Sequence, residues 1–212
     1  MRFNQLFSFA VVFGLFFLTG CISVKSYVDP QYSKAEFIDI QKVENRYHVK
    51  IVAEFQRDGV RKEGVDKHLQ KVFEKVLRAS DVFVLDQTAE SVVYIKVNNI
   101  ADLGSAAAKG FGTGLTFGLM GSEVADYYDI TISMTNQGAT ITKAYKHGLL
   151  STIGNHKPPL QNVEASTPEV AFMKVVEDAT LNFIKEMQDS GKLSFFPYRL
   201  ELTVPLERTG AG

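Results

Sequence analysis

An uncharged, largely apolar run, Leu6 to Leu18, opens the chain and stops just short of Cys21, the only cysteine. One cation, Arg2, precedes it together with the amino terminus. Basic start, apolar centre and small residues at Thr19-Gly20 have the layout of a secretory signal. A spanning helix wants ~20 apolar residues, so this run is too short to cross a bilayer comfortably. Whatever folds must therefore lie downstream, and with a single cysteine it can form no internal disulfide. The core has to hold by packing, and sixteen phenylalanines and eight tyrosines supply the bulk. The chain beyond residue 20 is long enough for one domain with its own core.

Leu18-Thr19-Gly20-Cys21 resembles the lipobox of bacterial lipoproteins at all four positions. That resemblance implies a diacylglyceryl group on the Cys21 sulfur, cleavage between Gly20 and Cys21, and acylation, commonly by palmitate, of the new amine. Each buried methylene contributes roughly 0.8 kcal/mol, so two or three acyl chains hold a protein at a membrane where one would not. In Gram-negative lipoproteins an aspartate after the cysteine signals inner-membrane retention. Ile22 stands there instead, which implies the outer membrane with the protein facing the periplasm. The expected partner is thus membrane lipid through acylated Cys21, with an envelope protein or a second copy as a further possibility.

The formal net charge of −1 lacks the basic excess of a nucleic-acid binder, and none is expected as a partner. No cofactor, metal site or catalytic residue is expected. His48, His68, His147 and His156 have unrelated spacings, with no His-Glu-x-x-His and no Gly-x-Ser-x-Gly elbow. His147 and His156 flank one loop and, with Asp126, mark where a hydrolase or ligand-binding enzyme would keep its site. Asp126 and Asp129 lie three apart and so on opposite strand faces.

Residues 21–35 carry Asp29-Pro30, serines and no sustained period, the pattern of a lipidated tether. Strand alternation runs from Tyr47 to Phe55 and stops at Asp58-Gly59; a short strand is expected at Val82 to Leu85. A longer one is expected at Ser91 to Ile100, buried on both faces at its start. Tyr127 to Asn136 and Ala139 to Leu150 flank Asn136-Gln137-Gly138 as a hairpin, and 151–165 reads as a loop. Helical spacing places Val65, Leu69, Val72, Phe73, Val76 and Leu77 on one face of a helix from Glu63 to Ser80. A second helix starts at Thr167-Pro168, with Ser166 and Glu169 at capping-box spacing, and runs to Gln188 before Gly191. Tyr198 to Val204 could add an edge strand.

The stretch 104–121, GSAAAKGFGTGLTFGLMG, fits either a helix with a small-residue groove or a strand with one nearly empty face. Glycine weakens both by roughly 0.5–1 kcal/mol per residue, so the stretch needs a partner surface. Gly110, Phe111, Gly114, Leu115, Phe117, Gly118 and Leu119 are the candidates for membrane or partner contact. As a helix, 110–121 would span about 18 Å, short of a bilayer.

The expected fold class is α+β: a largely antiparallel sheet with two main helices on one face, following an N-terminal signal helix. The expected organisation is signal peptide 1–20, tether 21–35, domain 36–206 with the insertion 104–121, and a loose tail 207–212. This element order resembles the periplasmic domains of small outer-membrane lipoproteins, including those of the curli-secretion type, and no residue role is carried over from it. The function this implies is a lipid-anchored envelope protein with a non-catalytic binding or assembly role. The alternatives are a secretion or pore subunit using 104–121, and the enzyme near His147 and His156.

Overall fold

A sheet of seven strands carries two α-helices in the computed structural model, which describes residues 24–101, 123–154 and 157–195. The strands are β1 (Val24–Val28), β2 (Tyr47–Arg57), β3 (Val60–Arg61), β4 (Phe83–Leu85), β5 (Val92–Ile100), β6 (Glu123–Asn136) and β7 (Ala139–Ile153). Helix α1 spans Glu63–Ala79 and α2 spans Pro168–Asp189. The fold class is α+β. Residues 1–23, which include the expected signal, Gly20 and Cys21, lie outside the described residues. So do the glycine-rich stretch, His156 and the expected edge strand at 198–204.

The sheet runs β1-β7-β6-β5-β2-β3, with β4 also paired to β2. Antiparallel pairing dominates, but β2 is parallel to both β4 and β5, so the sheet is mixed. The cause is α1, which follows β2 and β3 and returns the chain to the far end of the sheet, where β4 and then β5 start in the direction of β2. The longest ladder joins β6 to β7 from Glu123↔Thr152 to Asn136↔Ala139. Gln137 (φ 46°) and Gly138 (φ 86°) close it, the paired left-handed residues of a two-residue hairpin.

Alternation decides which side chains go inward. Val49, Ile51 and Ala53 on β2, Val93, Ile95 and Val97 on β5, and Ile130, Ile132 and Met134 on β6 share one core with both helices. Helix α1 contributes Leu69, Phe73 and Leu77, each fully buried, while its lysines stay wet. Burying such a side chain contributes roughly 1.5–3 kcal/mol. The opposite sheet face buries a smaller cluster, Ile100, Tyr127 and Leu150, against Ala125 and Leu160.

Several expectations are corrected. The tether does not extend through 24–32: Val24–Val28 is an edge strand in register with β7 from Val24↔Ile153 to Val28↔Leu149, and Pro30–Tyr32 is a 3-10 turn. Val24, Tyr27 and Val28 are strand formers, but VKSYV is short and does not alternate apolar with polar, and pairing with β7 fixes the extended backbone. Residues 151–153, expected in a loop, complete β7. On β5 burial alternates at the start and becomes continuous only from Val97 to Ile100, because Asn98 and Asn99 are buried with hydrogen-bond partners. At α2 the cap is Thr167, whose hydroxyl accepts from Val170 N–H at 3.3 Å. Ser166 exchanges backbone hydrogen bonds with Ser26 instead and covers the free edge of β1.

Candidate functional site

Two polar residues interrupt the apolar stripe of α2. Ala171, Val175, Asp178 and Asn182 follow one another at four, three and four residues, so Asp178 and Asn182 face the core side of the helix. Asp178 is 1% exposed. A buried carboxylate is costly unless paired and hydrogen-bonded, and here it has three partners. Its Oδ1 accepts from Ser33 Oγ and from Lys174 Nζ, both at 2.9 Å, and its Oδ2 accepts from His147 Nε2 at 3.1 Å. Burial pushes the Asp178 pKa up, but the hydrogen bonds from His147 and Lys174 and their charges outweigh it and hold the carboxyl below its ordinary value.

β7 presents His147 to α2 from the helix-facing side of the sheet, directly opposite Tyr128. His147 Nδ1 lies 2.9 Å from Gly148 N–H and 3.2 Å from the Gly148 carbonyl, and Nε2 faces Asp178 Oδ2. The Tyr32 ring lies against the imidazole, centroids 5.3 Å apart. One turn along α2, Asn182 Oδ1 accepts from Lys34 N–H at 3.1 Å and its Nδ2 donates to the Tyr32 carbonyl at 3.0 Å. Upstream, Asp29 N–H donates to the Gly148 carbonyl at 3.1 Å, and Asp29 Oδ1 accepts from Gln31 N–H at 3.0 Å. Residues 29–34 are thus fastened to β7 and α2 along their length.

This cluster holds a histidine, a carboxylate and a serine, but not in the order of a nucleophilic triad. Ser33 bonds the carboxylate rather than the imidazole, so the histidine is not placed to take its proton. His147 is 1% exposed, out of reach of a substrate. The chemistry the arrangement performs is to lock a chain segment in place.

The sequence-predicted positions separate. His147 meets Asp178 rather than Asp126, whose Oδ1 accepts from Asn99 Nδ2 at 3.0 Å. His48 sits 3.2 Å from Asp86, and His68 stacks on Phe172. Among the described residues, no three His, Cys, Asp or Glu side chains are grouped so as to hold a metal ion. Among the same residues no helix is long and apolar enough to cross a membrane. Cys21, Gly20, His156 and the seven glycine-segment candidates lie outside the described residues. Sequence reasoning missed Ser33, Lys174, Asp178 and Asn182. The signal for two of them was there, an aspartate and an asparagine inside an apolar helical stripe.

Two grooves accompany the cluster. One, between α1 and α2, is lined by Phe37, Val72, Val76, Val170 and Met173 with Lys75 at its rim. The other crosses the sheet face away from the helices and includes the polar side chains of Lys96, Asn98, Asp129 and Lys146.

No protein-family model matches the chain, and no curated protein matches it in sequence. Solved structures do resemble it in outline. A Xanthomonas campestris protein of the DUF330 family is 9% identical, with a TM-score of 0.38 over 74% of this chain and 91% of that one. A Helicobacter pylori protein described as a neuraminyllactose-binding hemagglutinin homologue is 11% identical, with a TM-score of 0.39 over 74% of this chain and 92% of its own. Rare lipoprotein B from Shewanella oneidensis is 11% identical, with a TM-score of 0.35 over 70% and 98%. At these scores and identities the likenesses assign neither a family nor an activity.

Proposed function

We propose that the chain is a lipid-anchored envelope protein of the outer membrane, facing the periplasm, with a non-catalytic role in binding or assembly. Acyl chains on Cys21 confine the α+β domain to the membrane surface, and the domain serves as a positioned platform.

The observation that carries this reading is the join between lipobox and domain. β1 starts at Val24, three residues after Cys21. Residues 24–28 are hydrogen-bonded into the sheet and residues 29–34 are fastened to α2 through Asp178 and Asn182. A lipid at Cys21 would therefore hold the domain close to the bilayer and not on a long leash. The enzyme alternative loses support because His147 is buried and engaged. The secretion-subunit alternative keeps one observation in its favour. β5 ends at Ile100 and β6 starts at Glu123, both at the sheet end where β1 begins, the end that an anchored Cys21 would hold near the membrane.

The test is fractionation of cells expressing Cys21→Ser. The variant should leave the membrane fraction or persist as an uncut precursor. Unchanged processing and retention would contradict the reading.

A further inference from the structure

Three strand ends meet where the chain enters the domain: the start of β1, the end of β7 and the start of β6. Val24 pairs with Ile153, and Val124 pairs with Ser151, which also pairs with Ser26. Side chains directly opposite one another share a sheet face, as do those two apart along a strand. Val24, Ile153 and Val124 therefore stand on one face of three adjacent strands, and they are 39%, 40% and 48% exposed. With neighbouring strands ≈ 4.8 Å apart, they form one patch about 10 Å across.

We infer that this patch rests in the headgroup layer of the membrane, so that the sheet stands on its β1-β7-β6 end with the β6–β7 turn pointing away. The inference rests on the lipid anchor proposed above and adds to it an orientation and a contact surface. Chain length makes the argument. Three residues span at most about 10 Å fully extended, so Val24 cannot stray further than that from Cys21. The acyl chains of Cys21 begin at the edge of the hydrocarbon, and the headgroup layer above it is roughly 5–7 Å deep. Val24 stays within that reach of the lipid and the rest of the patch lies within about 10 Å of Val24, so the bilayer surface is its nearest apolar partner. From Val124 to Asn136, β6 rises through twelve residue steps, about 40 Å, so the two ends of the hairpin differ greatly in their distance from the membrane. Phe37 and Ile38, the latter 89% exposed, form the competing apolar surface beside the groove between the helices. Ile38 lies between Lys34 and Gln41, which are held to Asn182 and Gln188 in the later turns of α2, whereas α2 starts beside Ser26; on this orientation Ile38 stays in water.

The test uses the full-length, acylated protein in phosphatidylethanolamine–phosphatidylglycerol vesicles containing a nitroxide-labelled lipid. Cysteines are introduced one at a time as Val124→Cys, Ile153→Cys, Ile38→Cys and Ala139→Cys, and each carries an environment-sensitive fluorophore. Labels at 124 and 153 should blue-shift and lose more than half of their emission to the nitroxide, while those at 38 and 139 match the detergent-free control without quencher. Quenching at 38 instead of 124 and 153, or at none of the four, overturns the orientation even though the protein stays on the vesicles. If the unlabelled protein has no acyl mass and washes off, the anchor reading itself fails and the orientation falls with it. Melting of each variant excludes misfolding, and Val124→Cys and Ile153→Cys are each sufficient alone.

Discussion

Ser33 donates to Asp178 at 2.9 Å across 145 positions of sequence, and this bond holds the entry segment of the domain against its last long helix. The same carboxylate receives His147 from β7, so one side chain joins three parts of the chain. Removing the partners one by one should reveal a ranking. Ser33→Ala leaves Asp178 two cationic or ring donors and should cost about 1 kcal/mol. Asp178→Ala leaves His147 facing a buried gap, while Lys174 keeps Glu177, and should cost about 3 kcal/mol or more. Urea unfolding of the two variants and of the double variant checks this; single costs that simply add would show that Ser33 and Asp178 do not act in one network.

The pH dependence has a definite sign. Asp178 titrates below its ordinary value in the folded protein, so its ionised form favours folding. That contribution is fully present above the unfolded value of about 3.9 and is lost as pH falls through the lower folded value. Asp178→Asn should therefore lose less stability than the wild type as the solution is acidified from pH 5, while being less stable than it at pH 7. Some acid sensitivity remains in both proteins. The Asp86 carboxyl, held down to about 2 by the Thr88 hydroxyl and N–H and by His48, is untouched by the change. Parallel stability–pH curves for the two proteins would contradict the assignment.

What was legible in the sequence divides along physical lines. α1 was read to within a residue because Leu69, Phe73 and Leu77 repeat the helical period in its own sequence. The β6–β7 hairpin is plain from alternation around Gln137-Gly138, although β6 starts four residues earlier and β7 ends three residues later than the alternation shows. β1 was not, because VKSYV becomes a strand only through its register with β7, and the parallel pairing of β2 with β5 likewise depends on α1 lying between them. His147 was singled out for the wrong neighbours. Its partner Asp178 lies 31 positions away, and nothing local to either residue encodes the contact.

Two glycines should respond in opposite directions to the same change. Gly138 sits at φ 86° with nothing within 4 Å of an added Cβ, so Gly138→Ala meets backbone strain alone and should cost about 1 kcal/mol. Gly64 stands in the first turn of α1, equally unobstructed and with no positive φ, and Gly64→Ala should stabilise by about 0.5 kcal/mol. Thermal melts of the two variants settle the pair; a shared sign would contradict the turn geometry.

The α2 cap offers a third stability test. Thr167→Ala removes the hydroxyl that accepts from Val170 N–H and should cost about 1 kcal/mol. Ser166→Ala, which keeps the backbone exchange with Ser26, should cost less. The reverse order in denaturant unfolding would restore Ser166 as the functional cap.

The intact mass of the protein extracted from membranes tests the central claim most directly. A chain beginning at Cys21 and carrying two or three acyl chains is the predicted result. A chain cut elsewhere, or one beginning at Cys21 with an unmodified thiol, would contradict the lipid anchor.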